Sequence, residues 1–198
     1  MFPGEVPMTQ IVLVHSALGL TRHVQQWAEI LSADGHDVHT PDLFDGRTFG
    51  DLETAVDHVD SEGMEHWIAR ARALTAALDG PRVYAGFSLG GAVAEILALT
   101  EPDATGLVVM HGAISPAWFE IDEWPADLVA QLHYAERDPW VDADDNAAFL
   151  TLAGDACEEF VHPGDGHLFG FEGWHEYDDV ASHDMYERVS EFMSELDG

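Results

Sequence analysis

The chain contains no lysine, and its only strongly basic side chains are seven arginines. Against them stand 38 aspartates and glutamates, which give a formal net charge of −31 at pH 7. Because proteins bind nucleic acids largely through lysine and arginine contacts to phosphates, this balance argues against a nucleic-acid partner. The absence of lysine favours adaptation to a cytoplasm with molar salt, where repulsion is screened within about 3 Å, over a surface that is acidic only for solubility.

The sequence also has few cysteines, no long apolar run and no signal-peptide features, and each of these limits the classes of protein to which it can belong. Cys157 is the only cysteine, so no disulfide forms within the chain, and its position in GDACEEFV, at the apparent start of a strand, predicts a small core residue and not a nucleophile. No apolar run approaches the roughly 18 residues that a membrane-spanning helix needs. The segment MFPGEVPMTQ lacks the basic and apolar parts of a signal peptide, so we expect a cytoplasmic protein. The 198 residues, 46% of them hydrophobic, predict a single domain over residues 1–198.

Short apolar runs alternate with segments of helical spacing along most of the chain. The runs predict strands at 11–15, 36–41, 82–87, 105–112, 127–135 and 158–162. The helical spacing predicts helices at 22–35, 66–78, 91–99, 144–153 and 178–196. Residues 113–126, with two prolines, predict a loop, and the polar segment 45–63 has only weak periodicity. The alternation indicates an α/β protein whose parallel sheet is covered on both faces.

The stretch RVYAGFSLGGAVAEILAL, residues 82–99, sets Ser88 between an apolar run and a helical pattern. Its GFSLG part matches G-x-S-x-G, the nucleophile elbow, in which a sharp turn between strand and helix exposes a strained serine hydroxyl. Gly86 and Gly90 give that turn room, and Gly91 lets the helix approach the sheet. The motif alone is weak evidence, but here a strand precedes it and a helix follows it. We therefore predict that Ser88 is a nucleophile.

A serine nucleophile needs an imidazole that accepts its proton and a carboxylate that fixes the tautomer of that imidazole. With this motif the order along the chain is serine, acid, histidine. Asp138, in HYAERDPWVD, follows a predicted strand and precedes a proline, and we favour it over Glu136 and Asp142. His167, in the glycine-rich HPGDGHLFG, lies beyond the last strand and is favoured over His162, which still belongs to that strand.

An oxyanion hole completes such a site with two main-chain N–H groups. One is expected from Leu89, directly after the nucleophile, and the other from the loop HSALGL after the first strand, where we predict Ala17. His15 and Ser16 border the same loop, and a core position is the simpler expectation for His15.

These residues resemble the dienelactone hydrolase family of α/β-hydrolases. The likeness rests on HSALGLTRHVQQWAEILSADGHDVHTPDLFDGRTF, on GFSLGG, on RDPWV and on PGDGHLF, which follow in the family's order and cover most of the chain. The resemblance implies an α/β-hydrolase fold with a mostly parallel sheet of about six strands, helices on both faces and a minimal lid. It also implies hydrolysis of esters or lactones without a metal or a cofactor.

Two positions depart from the best-known members of that family. Those members carry a cysteine where this chain has Ser88, and a glutamate in the first loop where it has Ser16. That glutamate belongs to the activation of the cysteine, so its absence fits an ordinary serine triad. The polar stretch 45–63 suggests a reduced flap over the pocket.

The leading hypothesis is therefore a serine hydrolase of small esters, lactones or thioesters, a monomer or homodimer without a membrane partner. Phe87, Leu89, Phe169, Trp140 and Trp118 are candidates for an apolar substrate pocket, and the acidic cluster DADD at 142–145 is not expected to bind a metal. The alternative is a catalytically silent scaffold that binds a small ligand or a protein partner, since a fold does not fix a function.

Overall fold

The computed structural model describes residues 9–196. Residues 1–8, which contain most of the segment inspected for a signal peptide, and residues 197–198 lie outside the described part. The described strands form one six-stranded sheet, all of whose neighbouring pairs are parallel, in the order β2-β1-β3-β4-β5-β6. They are β1 (Gln10–Val14), β2 (Asp37–His39), β3 (Arg82–Phe87), β4 (Ala104–Met110), β5 (Val129–Ala135) and β6 (Cys157–His162). The predicted parallel sheet is confirmed.

Six α-helices connect and cover these strands within the described chain. They are α1 (Arg22–Ala33), α2 (Leu52–Glu62), α3 (Met64–Thr75), α4 (Leu89–Thr100), α5 (Ala143–Ala153) and α6 (Asp179–Leu196). Helix α1 buries the stripe Val24, Trp27 and Leu31, which recurs at the spacing of one helix face. Residues 89–99 of α4 are all buried, as expected of a helix that is apolar on every side.

The helices lie on both faces of the sheet. A side chain at Gly106 of β4 would meet Phe192 and Leu196 of α6, whereas Val109 of the same strand contacts Gly91 of α4. Residues 106 and 109 differ by an odd number, so their side chains point to opposite faces. Helices α6 and α4 therefore cover opposite faces. None of the helices in residues 9–196 is long and apolar enough to cross a membrane.

Two segments for which the sequence predicted neither a helix nor a strand have different structures. The polar segment 45–63, which showed no clear periodicity, holds helix α2. Asp51 caps this helix by accepting a hydrogen bond from the Thr54 N–H, and its buried face carries Leu52, Ala55 and Val59. The segment 113–126 is a loop, as predicted, with one turn of 3₁₀-helix at Pro116–Phe119.

Because all strands run in one direction, their carboxyl ends meet at one edge of the sheet. Ligands of open α/β sheets bind at this edge. The loops after β1, β3, β4, β5 and β6 converge there, and they contain Ala17, Ser88, His111, Asp138 and His167 respectively.

Candidate active site

The turn between β3 and α4 holds Ser88 in a strained conformation. Its backbone has φ of 54° and ψ of −116°, which a residue with a side chain rarely adopts. Close packing imposes this turn: a Cβ on Gly86 would lie 2.1 Å from the Gly90 carbonyl oxygen, and one on Gly90 would lie 2.2 Å from that of Val14. The Ser88 N–H is held by the Met110 carbonyl at 2.7 Å. The glycines on either side are thus a steric requirement of the turn.

Ser88, His167 and Asp138 form a continuous line of hydrogen bonds. The Ser88 hydroxyl lies 2.7 Å from His167 Nε2, and His167 Nδ1 lies 2.7 Å from Asp138 Oδ2. Because an ionised carboxylate only accepts hydrogen bonds, the Nδ1–H of a neutral imidazole donates to Asp138 and Nε2 accepts from the serine. His167 and Asp138 are buried, while Ser88 is half-buried. This arrangement is suited to removing the proton from the hydroxyl.

The orientation of Asp138 is fixed by the turn that follows β5. Its other oxygen, Oδ1, accepts a hydrogen bond of 2.9 Å from the Trp140 N–H. Its own N–H donates to the Ala135 carbonyl, and its carbonyl accepts from the Val141 N–H. The carboxylate is therefore held by main-chain contacts and points at the imidazole without needing another side chain.

The rival residues considered from the sequence lie elsewhere. Glu136 pairs with Arg137 at the surface, and Asp142 caps α5 by accepting hydrogen bonds from the N–H groups of residues 144 and 145. His162 Nε2 lies 3.2 Å from His133 Nδ1, and His162 Nδ1 faces Asp184 Oδ2, an acceptor, at 3.4 Å. None of these three side chains contacts Ser88 or His167 within the described chain.

Ala17 and Leu89, the expected oxyanion donors, both line the cavity at Ser88. Leu89 is the first residue of α4, so its N–H has no acceptor within the helix and lies at the positive end of the helix dipole. The turn around Ala17 is held by Ser16, whose carbonyl accepts from Gly19 and whose hydroxyl accepts from Leu18. Both residues therefore border the cavity into which Ser88 opens.

His15 occupies a core position, as expected. Its Nδ1–H donates to the Ser16 carbonyl at 2.7 Å, and its Nε2 accepts from the Leu43 N–H at 3.0 Å. Burial lowers the pKa of His15, which agrees with a neutral ring that donates on one side and accepts on the other. Its role is to join the first loop to the loop after β2.

The cavity at Ser88, called the Ser88 pocket from here on, has a volume of about 330 Å³. Most of its wall is apolar, and α2 supplies one side of it. Its lining residues are Ala17, Leu52, Val56, Val59, Asp60, Met64, Ser88, Leu89, Ala92, His111, Gly112, Ala113, Ile114, Trp140, Val141 and His167. The wall supplied by α2 was not predicted from the sequence, although Leu52, Val56 and Val59 stand at helical spacing in DLETAVDHVD.

The structure corrects three of the proposed pocket residues. Phe87 is fully buried in β3 and packs against Trp27 of α1 and Phe171, away from the Ser88 pocket. Phe169 is buried against the rings of two histidines, and Trp118 is exposed on the 3₁₀ turn; neither lines the pocket. Trp140 and Leu89 do line it.

The loop after β4, residues 111–115, forms another wall and rests on buried polar groups. The Ile114 N–H donates to Glu95 Oε2 at 3.1 Å, and the Ala113 N–H donates to Asn146 Oδ1 at 2.8 Å. Burial raises the pKa of Glu95 well above its usual value, and the negative charge of Asp145 raises it further, whereas the hydrogen bond from the Ile114 N–H lowers it. The buried carboxyl group of Glu95 thus holds a wall of the pocket in place. Burying this group costs more free energy when it is ionised than when it is protonated.

Two other groups are not placed to act as nucleophile or base. Burial raises the pKa of the Cys157 thiol to about 12, and this residue begins β6 at the sheet edge, so its thiol stays protonated. His111 lines the pocket, but burial lowers its pKa well below the usual value and its ring packs against Phe87 and Phe169. Within the described chain, neither ring nitrogen of His111 has a hydrogen-bond partner.

Comparisons with known proteins agree with this architecture. A pyrethroid hydrolase from Sphingobium wenxiniae is 33% identical over 109 residues, which is 54% of this chain and 37% of that protein. The match thus spans little more than a third of that curated relative. A dienelactone hydrolase-like promiscuous phosphotriesterase from metagenomic libraries superposes with a TM-score of 0.75 at 21% identity, covering 96% of this chain and 87% of that one.

The mouse alpha/beta hydrolase domain-containing protein 10 is more distant, with a TM-score of 0.67 at 13% identity, covering 98% of this chain and 92% of that one. These structural likenesses establish the α/β-hydrolase fold. The sequence profile of the dienelactone hydrolase family matches residues 1–196, nearly the whole chain. The chain is therefore a member of the dienelactone hydrolase family, a family of hydrolases.

Proposed function

We propose that this protein is a serine hydrolase that cleaves small carboxylic esters, lactones or thioesters through an acyl-enzyme. The observation that carries the proposal is the unbroken line from Asp138 through His167 to Ser88, with 2.7 Å at both links. A strained serine at the carboxyl edge of the sheet, next to an open helix N-terminus and an apolar pocket, supplies the remaining parts of the site.

Acylation begins when Ser88 Oγ attacks the substrate carbonyl carbon and passes its proton to His167 Nε2. Asp138 accepts the Nδ1–H throughout and stabilises the imidazolium that forms. The carbonyl oxygen becomes an oxyanion, which accepts hydrogen bonds from the N–H groups of Ala17 and Leu89. The tetrahedral intermediate then expels the alcohol or thiol, which takes its proton from Nε2, and the acyl group stays on Ser88.

Deacylation repeats these steps with water as the nucleophile. Water gives its proton to His167 Nε2 as its oxygen attacks the acyl carbon, and the same two amides hold the second oxyanion. Collapse of that intermediate releases the carboxylic acid and returns the proton to Ser88. No residue outside the triad is required to carry a proton in either half of the reaction.

We place the proposed activity in one domain that works in a cytoplasm of high salt, and the composition of 38 acidic residues against seven arginines supports that setting. The substrate enters from the carboxyl edge of the sheet.

The experiment that tests the function combines covalent labelling with hydrolysis. A fluorophosphonate should label Ser88, and the label should be found on the peptide that contains GFSLG. Ser88→Ala should abolish labelling and lower ester hydrolysis to the level that an oxyanion hole alone supports, roughly 10³-fold over water. Its circular dichroism spectrum and melting temperature should stay close to those of the parent protein.

Ser194→Ala is the matched control, because Ser194 is an exposed serine of α6 far along the chain from the site. It should keep both labelling and turnover. Turnover by Ser88→Ala at a rate near that of the parent protein would contradict the assignment of the nucleophile. A folded protein that takes no label and cleaves no ester would favour the catalytically silent scaffold.

A further inference from the structure

The positive side chains of this protein are all outside the Ser88 pocket. The chain has no lysine, and its seven arginines all lie in residues 9–196. Five of them pair with carboxylates, Arg47 lies over the Phe49 ring, and Arg22 lies beside Gly173. The five pairs are Arg70–Asp45, Arg72–Glu101, Arg82–Asp103, Arg137–Glu136 and Arg188–Asp184. None of the seven lines the pocket.

Among the described residues that line the pocket, the imidazoles aside, the one side chain that carries a charge is a carboxylate. Asp60 of α2 lines the pocket and is exposed, so it lies at the rim. The walls behind it are mostly apolar: aliphatic side chains of α2 and of the loop after β4, and Trp140 and Val141 of the loop after β5. The second lining histidine, His111, carries no charge at neutral pH, since burial lowers its pKa well below the usual value.

These facts set the electrostatic preference of the pocket. A carboxylate carried on the acyl chain would lose water against aliphatic side chains and find no partner of opposite sign. It would also approach Asp60, a like charge. An uncharged chain gains from burial in the same walls, and a cation at the end of such a chain meets the Asp60 carboxylate at the rim.

We propose, resting on the function proposed above, that the Ser88 pocket accepts uncharged or cationic acyl groups with apolar chains and rejects anionic ones, and that Asp60 sets the sign of this preference.

The test uses three p-nitrophenyl esters of similar length: the hexanoate, the hemiadipate, whose chain ends in a carboxylate, and the 5-(trimethylammonio)pentanoate. At 1 M KCl, where long-range repulsion is screened to within about 3 Å, kcat/KM for the hemiadipate should be at least about tenfold below that for the hexanoate. The cationic ester should be cleaved faster than the hemiadipate. A smaller difference between hexanoate and hemiadipate overturns the proposal.

The role of Asp60 is tested by Asp60→Lys, with Asp57→Lys as the control. Both substitutions replace an aspartate with a lysine, so they change the net charge equally. Asp57 lies on the same helix as Asp60 and is also exposed, but it does not line the pocket. At 0.1 M KCl, Asp60→Lys should raise the hemiadipate-to-hexanoate ratio of kcat/KM about three- to tenfold. Asp57→Lys should raise it by less than half as much. Equal effects would show a general surface potential and overturn the role of Asp60.

Failure of this inference differs from failure of the proposed function. If Ser88 takes the fluorophosphonate label and all three esters are cleaved alike, the function stands and the charge preference falls. If none of the three esters is cleaved by the folded protein, both are overturned. Melting temperatures of the Asp60 and Asp57 variants show whether each ratio comes from folded protein.

Discussion

In the proposed mechanism Asp138 contacts the imidazole of His167 through Oδ2 alone, so substitutions can separate its role from those of the neighbouring acids Glu136 and Asp142. Oδ2 faces His167 Nδ1 and Oδ1 is held by the Trp140 N–H. An asparagine there keeps the shape but offers an amide group, which favours the imidazole tautomer with its proton on Nε2, facing the serine. That tautomer does not accept the proton of Ser88.

We therefore expect Asp138→Asn to lower kcat by about 10⁴, with little change in melting temperature. Glu136→Gln and Asp142→Asn are the controls, because these side chains pair with Arg137 and cap α5 instead. Steady-state hydrolysis of one ester by the three variants measures the difference. A loss of similar size in either control would move the role of the acid to that residue.

Glu95 is a second residue whose effect depends on its protonation state. Its ordinary pKa is about 4.5, and burial raises the pKa in the folded protein. The unfolded chain then releases the proton at a lower pH than the folded protein does. Glu95 therefore contributes most to stability below about pH 4.5, and this contribution is lost as the pH rises through the folded pKa.

Glu95→Gln resembles the protonated form and still offers an oxygen to the Ile114 N–H. We expect its melting temperature to equal that of the parent protein near pH 4 and to exceed it at pH 8, by the equivalent of about 1–3 kcal/mol. The exposed Glu29→Gln on α1 is the control and should show no such pH-dependent gap. A gap that is the same at both pH values would argue against a buried titration.

At the scale of elements, the elbow between β3 and α4 requires that the backbone at Gly90 pass very close to the backbone of β1 and of the loop after β1. A Cβ on Gly90 would lie 2.2 Å and 2.5 Å from the carbonyl oxygens of Val14 and His15, which belong to β1 and its loop. Backbone atoms cannot move aside as a flexible side chain can. The helix therefore reaches the sheet only if position 90 is a glycine.

Gly90→Ala should destabilise the fold by more than about 3 kcal/mol and remove labelling of Ser88. Gly50→Ala, where the added Cβ meets nothing within 4 Å, should change stability by about 0.5 kcal/mol or less. Thermal unfolding followed by circular dichroism compares the two. Equal melting temperatures would mean that the turn relaxes around the new methyl group.

The same elements show what the sequence predicts and what it leaves out. Apolar strands and helices such as β3 and α4 can be predicted from their composition, and the order of serine, acid and histidine along the chain predicted the candidate site. Helix α2 was not predicted, because the acidic residues between its buried positions Leu52, Ala55 and Val59 weaken the apolar periodicity of the sequence. Its wall of the pocket was missed for the same reason.

Side-chain direction is the other quantity that composition does not contain. Phe87 stands next to Ser88 in the chain, yet it packs against Trp27 of α1. Successive residues of a strand point to opposite faces, so adjacency in sequence does not imply a shared pocket. Phe169, in the turn after β6, follows His167 by two residues and is nevertheless buried in the core.

At the scale of the whole molecule, the five arginine pairs leave most acidic residues of the described chain, residues 9–196, without a guanidinium partner. Lowering the pH would neutralise carboxylates and reduce this repulsion, but it would also destabilise the fold through buried histidines. Burial lowers the pKa of His15, His133 and His162. Below about pH 6.5 these histidines bind protons in the unfolded chain but not yet in the folded protein. Their contribution to stability is therefore complete above that pH and is lost as the pH falls further.

Salt relieves the repulsion without charging those histidines. The Debye length is about 30 Å at 0.01 M, so each carboxylate repels many others, and about 3 Å at 1 M, so only near neighbours still repel. At pH 8 we expect the melting temperature and the ester turnover both to rise from 0.01 M to molar KCl or NaCl. Sucrose at matched osmolality is the control, because it stabilises by exclusion without screening charge. A melting temperature that is flat in salt, or that rises equally in sucrose, would show that the acidic surface serves solubility and that adaptation to high salt is the wrong explanation for the missing lysine.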